Sequence, residues 1–228
     1  MTLGGKTYPV VRIGNLYWTA ANLDYYDEDC GYIDTNIYPS INSTNATVVN
    51  NLKTMWTTSR ACGHYQYAPQ EYDEGYGILY NYAATAYIND TVLANSDWRV
   101  PTQADCINLI ESVGGYEYAG QKLKSTTGWA ASNNGVPYGT DEYGFNAKAT
   151  GGRFGYDSNT NSSNRGKFSG VTEWSYIWCI TRYPSDNNLR QVLSFSRNSN
   201  NCMLNNNYGY STGDLDKGSP IRLCMNAV

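Results

Sequence analysis

The stretch DWRVPTQADCINLIESVGG, residues 97–115, constrains this chain more than any other segment. Thr102 offers a hydroxyl at a helix N-cap position, Asp105 stands three residues on, and Pro101 fixes the strand-to-helix corner before the cap. Cys106, Leu109, Ile110 and Val113 then recur at helical spacing, and Gly114 closes the run. The stripe is apolar on one side only, so the rest of the chain must supply the surface that covers it. Upstream, GILYNYAATAYIND carries Leu79, Tyr82, Ala83 and Ala86 at helical spacing and predicts a first helix. TYPVVRIGNLYWTAANL alternates apolar and polar residues through Tyr8, Val10, Arg12 and Ile13, then turns at Gly14-Asn15, the pattern of a β-hairpin. LRQVLSFSR and PIRLC alternate again near the end, and the second predicts a terminal strand that can return to the first. A hairpin, two helices, then loops and short strands make an α+β chain.

Between these elements the chain is polar. Residues from about Asp24 to Gly75 are rich in Asp, Tyr, Asn and Thr and interrupted by Pro39 and Pro69. They read as an irregular insertion, centred on 27–75, with at most one short helix near Val48 to Thr58. No repeat of fixed period occurs, which sets solenoids and propellers aside. With 228 residues and 41% apolar content the expectation is one domain spanning 1–228.

Charge and cysteine usage exclude several functions. Sixteen basic residues face 20 acidic ones for a net charge of -4, and no Lys/Arg stripe could neutralise a row of phosphates, so nucleic acid is not an expected partner. No apolar run approaches the length that spans a bilayer, and no charged-then-apolar leader is present, so direct membrane insertion is not expected. A leader or anchor outside this stretch stays open. Six cysteines (Cys30, Cys62, Cys106, Cys179, Cys202, Cys224) form no CxxC pair and share the chain with one histidine, His64, which argues against a zinc site. Disulfides stay open, although Cys106 on a helical face and Cys224 in a strand fit buried thiols.

Taken together, VRIGNLYWTAANLDY, YGILYNYAA, WRVPTQADCINLI, GGYEYAGQKLKSTTGW, YGFNAKATGGR and SPIRLC resemble the Fibrobacter succinogenes major paralogous domain, a bacterial family with a C-type-lectin-like fold. The resemblance implies paired N- and C-terminal strands, two helices flanking small antiparallel sheets, and long loops that present a ligand-binding face. It also implies kinship with formylglycine-generating enzymes and with the variable proteins of diversity-generating retroelements, among them phage receptor-binding tips and pilus or surface adhesins. Trp98, Arg99 and Pro101 read as scaffold, Arg99 by holding neighbouring carbonyls. Trp18, Trp129 and Phe145 read as core aromatics.

The chain offers little for catalysis. His64, flanked by Cys62 and Tyr65 in the polar insertion, reads as a surface histidine in a loop. Cys202 and Cys224 fall late, as the paired cysteines of the copper-using relatives might, but no surrounding motif of that enzyme is present. The Glu-Pro-Asn, Gln-Pro-Asp and Trp-Asn-Asp triplets of calcium-dependent lectins are missing, and Asp24, Asp27, Glu28, Asp29, Asp214 and Asp216 read as solvated loop faces rather than calcium ligands. Neither enzyme activity nor a metal or cofactor is expected.

The late segment NSNNCMLNNNYGY, residues 198–210, sets six asparagines among Cys, Met, Leu and Tyr. In diversified relatives this part of the chain is the variable region, which the resemblance puts near 178–210. Cys179 and Ile180 here stand where serines are usual, and Ile221 where valine is. Short amides adapt their hydrogen bonds while Tyr, Met and Arg supply contact area, the recipe of a paratope. The candidate ligand-binding set is therefore Tyr176, Arg182, Tyr183, Asp186, Asn187, Asn188, Arg190, Arg197, Asn198, Asn200, Asn201, Met203, Asn205, Asn207 and Tyr208. Trp174, Tyr176 and Trp178 are candidates for an aromatic floor, with Trp178 better suited to the core. The bland alternative is a turn-forming loop, because Asn tolerates left-handed backbone. The expectation is a non-enzymatic domain that binds a protein or glycan receptor at a bacterial or virion surface. The alternatives are a secreted, metal-independent glycan-binding module and, less favoured, a formylglycine-generating-type oxidase.

Overall fold

The computed structural model describes residues 1–33, 46–65, 75–155, 166–183, 186–204 and 216–228; side chains are described for all of these except 46, 48, 49, 183 and 186–189. The chain opens with two short strands, β1 (Thr2–Leu3) and β2 (Lys6–Thr7), and the hairpin β3 (Val10–Ile13) and β4 (Leu16–Thr19). Helix α1 (Ala46–Thr58) leads to β5 (Cys62–Gly63), β6 (Leu79–Tyr80) and α2 (Tyr82–Tyr87), which runs on into a π-helical turn at Ile88–Val92. Helices α3 (Gln103–Ser112) and α4 (Tyr116–Leu123) follow, then β7 (Thr150–Arg153), β8 (Phe168–Val171), β9 (Trp174–Tyr183), β10 (Asp186–Ser196), β11 (Met203–Leu204) and β12 (Cys224–Asn226). Helices and small, mostly antiparallel sheets make this an α+β fold.

The local signals formed what they encode. Thr102 and Asp105 close a reciprocal capping box at the start of α3, and Cys106, Leu109, Ile110 and Val113 are buried. Arg99 grips the Asp105 carboxylate through two bonds of 3.0 and 2.7 Å and also donates to the Asn226 side chain, so its partners are side chains rather than the expected carbonyls. Gly14 turns the hairpin at φ +61°, and β12 returns to pair antiparallel with β4, setting Cys224 opposite Trp18. The single helix expected in the insertion is α1.

Two helices differ from the sequence reading. Leu79 belongs to β6, and α2 begins only at Tyr82 because the Asn81 side chain caps it, accepting from the Ala84 N–H at 2.9 Å. Helix α4 is additional to the two helices the sequence predicts, with Gly115 before it and Gly120 within it lowering its local propensity. Its support is tertiary: Ala119 and Leu123 are buried, and Gly120 presses its bare Cα against the main chain at Asn200 and Asn201.

The core divides around β9. Ile177 and Cys179 face a cluster shared with Trp18, Leu109, Phe145, Leu193 and Phe195. Trp178 points the other way, among Tyr80, Ile88, Val100, Ile221 and Leu223, and its indole N–H donates to the Tyr80 carbonyl at 2.7 Å. A strand covered on both faces is dry at its centre, which fixes register strongly. The six cysteines are all buried free thiols.

Burial alone would raise the Asp105 carboxyl, but the bonds from Arg99 and Thr102 outweigh it and hold the group below the usual carboxylate range. A depressed folded value means a contribution fully present above the unfolded Asp range and lost as pH falls through the folded one. Asp105→Asn is therefore expected to cost about 1–3 kcal/mol at pH 7 and to flatten the acid limb of the stability profile. Urea midpoints of both proteins at pH 7 and pH 3 check this; equal acid sensitivity would contradict it.

Candidate functional site

The outward face of β9 is covered only in part. At Trp178 and Ile180 it lies under Tyr82, whose ring meets the Trp178 ring edge-on at 5.8 Å and whose hydroxyl donates to the Ile180 carbonyl. Toward the start of β9 the cover ends. There Trp174 and Tyr176 stand opposite Ser196 and Ser194 of β10, and Ser194 in turn pairs with Met203 of β11. These side chains line a groove of about 480 Å³, completed by Glu173, Phe195, Arg197, Asn198, Ser199 and Asn201.

Glycine sets the floor. A Cβ on Gly170 would lie 1.9 Å from Trp174 Cε2, and one on Gly152 about 3.1 Å from Cζ3, so the indole rests on bare backbone of β7 and β8. Phe154 meets it edge-on at 5.9 Å, Tyr176 tilts against it at 4.8 Å, and the Lys217 ammonium sits 4.3 Å above the Tyr176 ring.

The rim is clamped from below. Lys124, almost wholly buried, donates to the carbonyls of Ser196 at 3.0 Å and Ser199 at 2.9 Å, and burial pulls its ammonium down to about 8. The Gln121 N–H donates to the Asn200 carbonyl at 3.0 Å. Asn198 Oδ1 accepts from the Asn133 N–H at 2.9 Å and the Ser132 hydroxyl at 3.2 Å, while Arg197 pairs with Glu173 at 2.9 Å. The carbonyls of Ser196, Ser199 and Asn200 are thus held from beneath by Lys124 and Gln121.

Of the sequence-derived set, the structure brings Tyr176, Arg197, Asn198, Asn201 and Met203 to this groove. Asn200 lies beside it, engaged through its backbone with α4. Arg182 is exposed but six residues along β9 from Tyr176, roughly 20 Å away at strand rise. Arg190 corrects the expectation: it is 8% exposed, its guanidinium carbon over the Tyr82 ring at 4.1 Å from the centroid, so it serves as packing rather than contact surface. The side chains of Tyr183, Asp186, Asn187 and Asn188, and the residues Asn205, Asn207 and Tyr208, lie outside the described residues. Nor is the tract uniformly outward, since Cys179, Gln191, Leu193, Phe195 and Cys202 are interior. The sequence set omitted Ser194 and Ser196, which the alternation of SFS around Phe195 could have supplied, and Lys124, whose role depends on a turn more than seventy residues away.

His64 also departs from expectation. It is only 5% exposed, with Nε2 3.0 Å from Asp24 Oδ1 and Nδ1 2.7 Å from the Tyr32 hydroxyl. Asp24 further binds Lys6. Asp27 accepts from the hydroxyls of Tyr25 and Tyr87 and from the N–H groups of Asp29 and Cys30; burial would raise its carboxyl, yet these donors hold it low. These two carboxylates are built into the fold and are not the solvated faces expected. Asp216 is likewise buried, while Asp214 lies outside the described residues. Among the described residues no group of three or more His, Cys, Asp or Glu is placed to hold a metal ion. Cys202 and Cys224 are both fully buried.

An α+β domain whose main sheet opens at one end into an aromatic groove, with its rim pinned by backbone bonds, is the class of protein this geometry defines. The family model of the Fibrobacter succinogenes major domain matches residues 11–219, and the chain belongs to that family. No curated protein and no solved structure matches the chain.

Gly170 adopts φ +81° and has no room for a methyl group. Gly170→Ala is expected to lift Trp174 off its seat and to cost about 2 kcal/mol or more. Tryptophan emission and urea midpoints read both effects; a variant matching wild type in each would show that the seat does not hold the indole.

Proposed function

We propose that this domain is a non-enzymatic receptor-binding module, carried on a bacterial surface structure such as a pilus or adhesin, or on a phage, that holds part of a protein or glycan receptor in the groove at the open end of its main sheet. The supporting observation is a mixed aromatic and polar lining whose backbone is held in place from beneath. Trp174, Tyr176 and Met203 offer apolar contact area and Ser194, Ser196 and Asn201 offer hydrogen bonds, while the backbone beneath is held by Lys124, Gln121 and two glycines. A lining fixed before contact avoids the ordering cost of binding. Tyr176, Asn198, Asn201 and Met203 fall in or beside the segment that the family resemblance marks as variable, which fits a C-type-lectin-like fold diversified by a retroelement. Because the aromatic pair Trp174 and Tyr176 faces serine hydroxyls, a metal-independent glycan-binding module is the second reading.

Replacing Tyr176 and Met203 together by Ala is expected to weaken adhesion of the purified domain to target cells or receptor at least about tenfold while leaving the melting temperature within a few degrees. Loss of adhesion only on treating the target with glycosidases would select the glycan reading. Adhesion undiminished in the double variant would end the groove as the contact surface. At the DNA level, an adjacent near-copy of the segment encoding 178–210, differing only at adenines, is expected beside a reverse transcriptase; an intact locus without one removes diversification from the reading.

A further inference from the structure

A second cavity, of about 610 Å³, opens between the β1–β2 turn and the segment that follows β4. An unbroken chain of contacts runs along and behind its wall. Lys6 donates to Asp24, Asp24 Oδ1 lies 3.0 Å from His64 Nε2, His64 Nδ1 lies 2.7 Å from the Tyr32 hydroxyl, and the Tyr32 ring stacks on Tyr26 at 3.9 Å with 13° between planes. The chain is consistent as donors and acceptors: imidazole N–H to carboxylate at one end, phenol O–H to imidazole nitrogen at the other. Its effect is to fix one face of Tyr26 while the residue stays 52% exposed beside the cavity.

The charge balance selects the occupant. Lys6 and Asp24 cancel at the cavity wall, so an anion meets the carboxylate and a cation meets the ammonium. Asp27 lies outside the cavity lining, and its carboxylate oxygens are already engaged by two tyrosine hydroxyls and two backbone N–H groups, so they offer a cation no open ligand position. A neutral polyol can use both charged groups, since the ammonium keeps spare donors and the carboxylate spare lone pairs. An aromatic face next to a donor–acceptor pair is the chemistry that holds a pyranose, with C–H groups on the ring and neighbouring hydroxyls on the charges. We infer that this cavity is a binding site for an uncharged saccharide ring, stacked on Tyr26 and hydrogen-bonded to Asp24 and Lys6. The site is built from Lys6, Asp24, Tyr26 and His64, and shares no lining residue with the groove on β9.

The test is calorimetry of the full chain against a panel of uncharged hexose oligosaccharides, with sulfated and sialylated glycans alongside. At least one uncharged oligomer is expected to bind, to weaken about tenfold in Tyr26→Ala, and to be retained in Tyr26→Phe, which keeps the ring. Tyr26 is exposed, and unchanged thermal melting of both variants confirms that the fold is intact. Binding of charged glycans alone, or of none, overturns the inference. So does uncharged binding that survives Tyr26→Ala, including the case in which Tyr176→Ala removes it, which would move the sugar to the groove.

Discussion

The guanidinium of Arg222 is the interaction on which the rest of the fold depends. It is fully buried and donates to the carbonyls of Thr19, Phe145 and Asn146 at 2.7, 2.8 and 2.9 Å, to Asn22 Oδ1 at 2.6 Å, and lies over the Phe145 ring. A charge in the interior is tolerable only when its donors are engaged, and here they are engaged by two distant stretches of chain, 19–22 and 145–146. The residues on either side extend the same closure: the Leu223 carbonyl accepts from Thr19, the Ile221 carbonyl from Leu23, and the Pro220 carbonyl from Trp178. The start of the chain, its middle and its end are thereby joined beside β9, and the two halves of the core take their boundary from that seam.

The groove follows from how far this closure reaches. Around Trp178 the strand has cover on both faces, and at Trp174 and Tyr176 the outer cover stops, leaving aromatic side chains on a strand whose register is already fixed. Recognition surfaces need fixed geometry and open chemistry together, and a sheet that runs past its own cover supplies both. The histidine cluster follows similar logic on a smaller scale, with one exposed ring oriented by buried polar contacts.

What could be read from the sequence was what is local. The capping box of α3 and the Gly14 hairpin lie within a few residues of their own signals, and both formed as expected. Helix α4 escaped notice because two glycines mask it, although Glu117 in its first turn, Lys122 in its last and the Ala119–Leu123 spacing are signals of a helix. The burial of His64 is not legible locally because its partners lie 32 and 40 residues away. For the asparagine-rich tract, residue type was informative about chemistry and poor about direction. Asn198 and Asn201 do reach the groove, but Arg190 is buried over the Tyr82 ring, and Phe195 turns inward with the strand's alternation.

The seating of Asn200 and Asn201 on α4 has a consequence for how such a chain can change over generations. Its fasteners are main-chain atoms: two carbonyls held by Lys124, one by the Gln121 N–H, and one crowded against Gly120. Main-chain atoms are indifferent to which amino acid carries them but strict about how many lie between one fastener and the next. At those fasteners spacing is therefore stricter than spelling, and a single inserted or deleted residue shifts them out of reach.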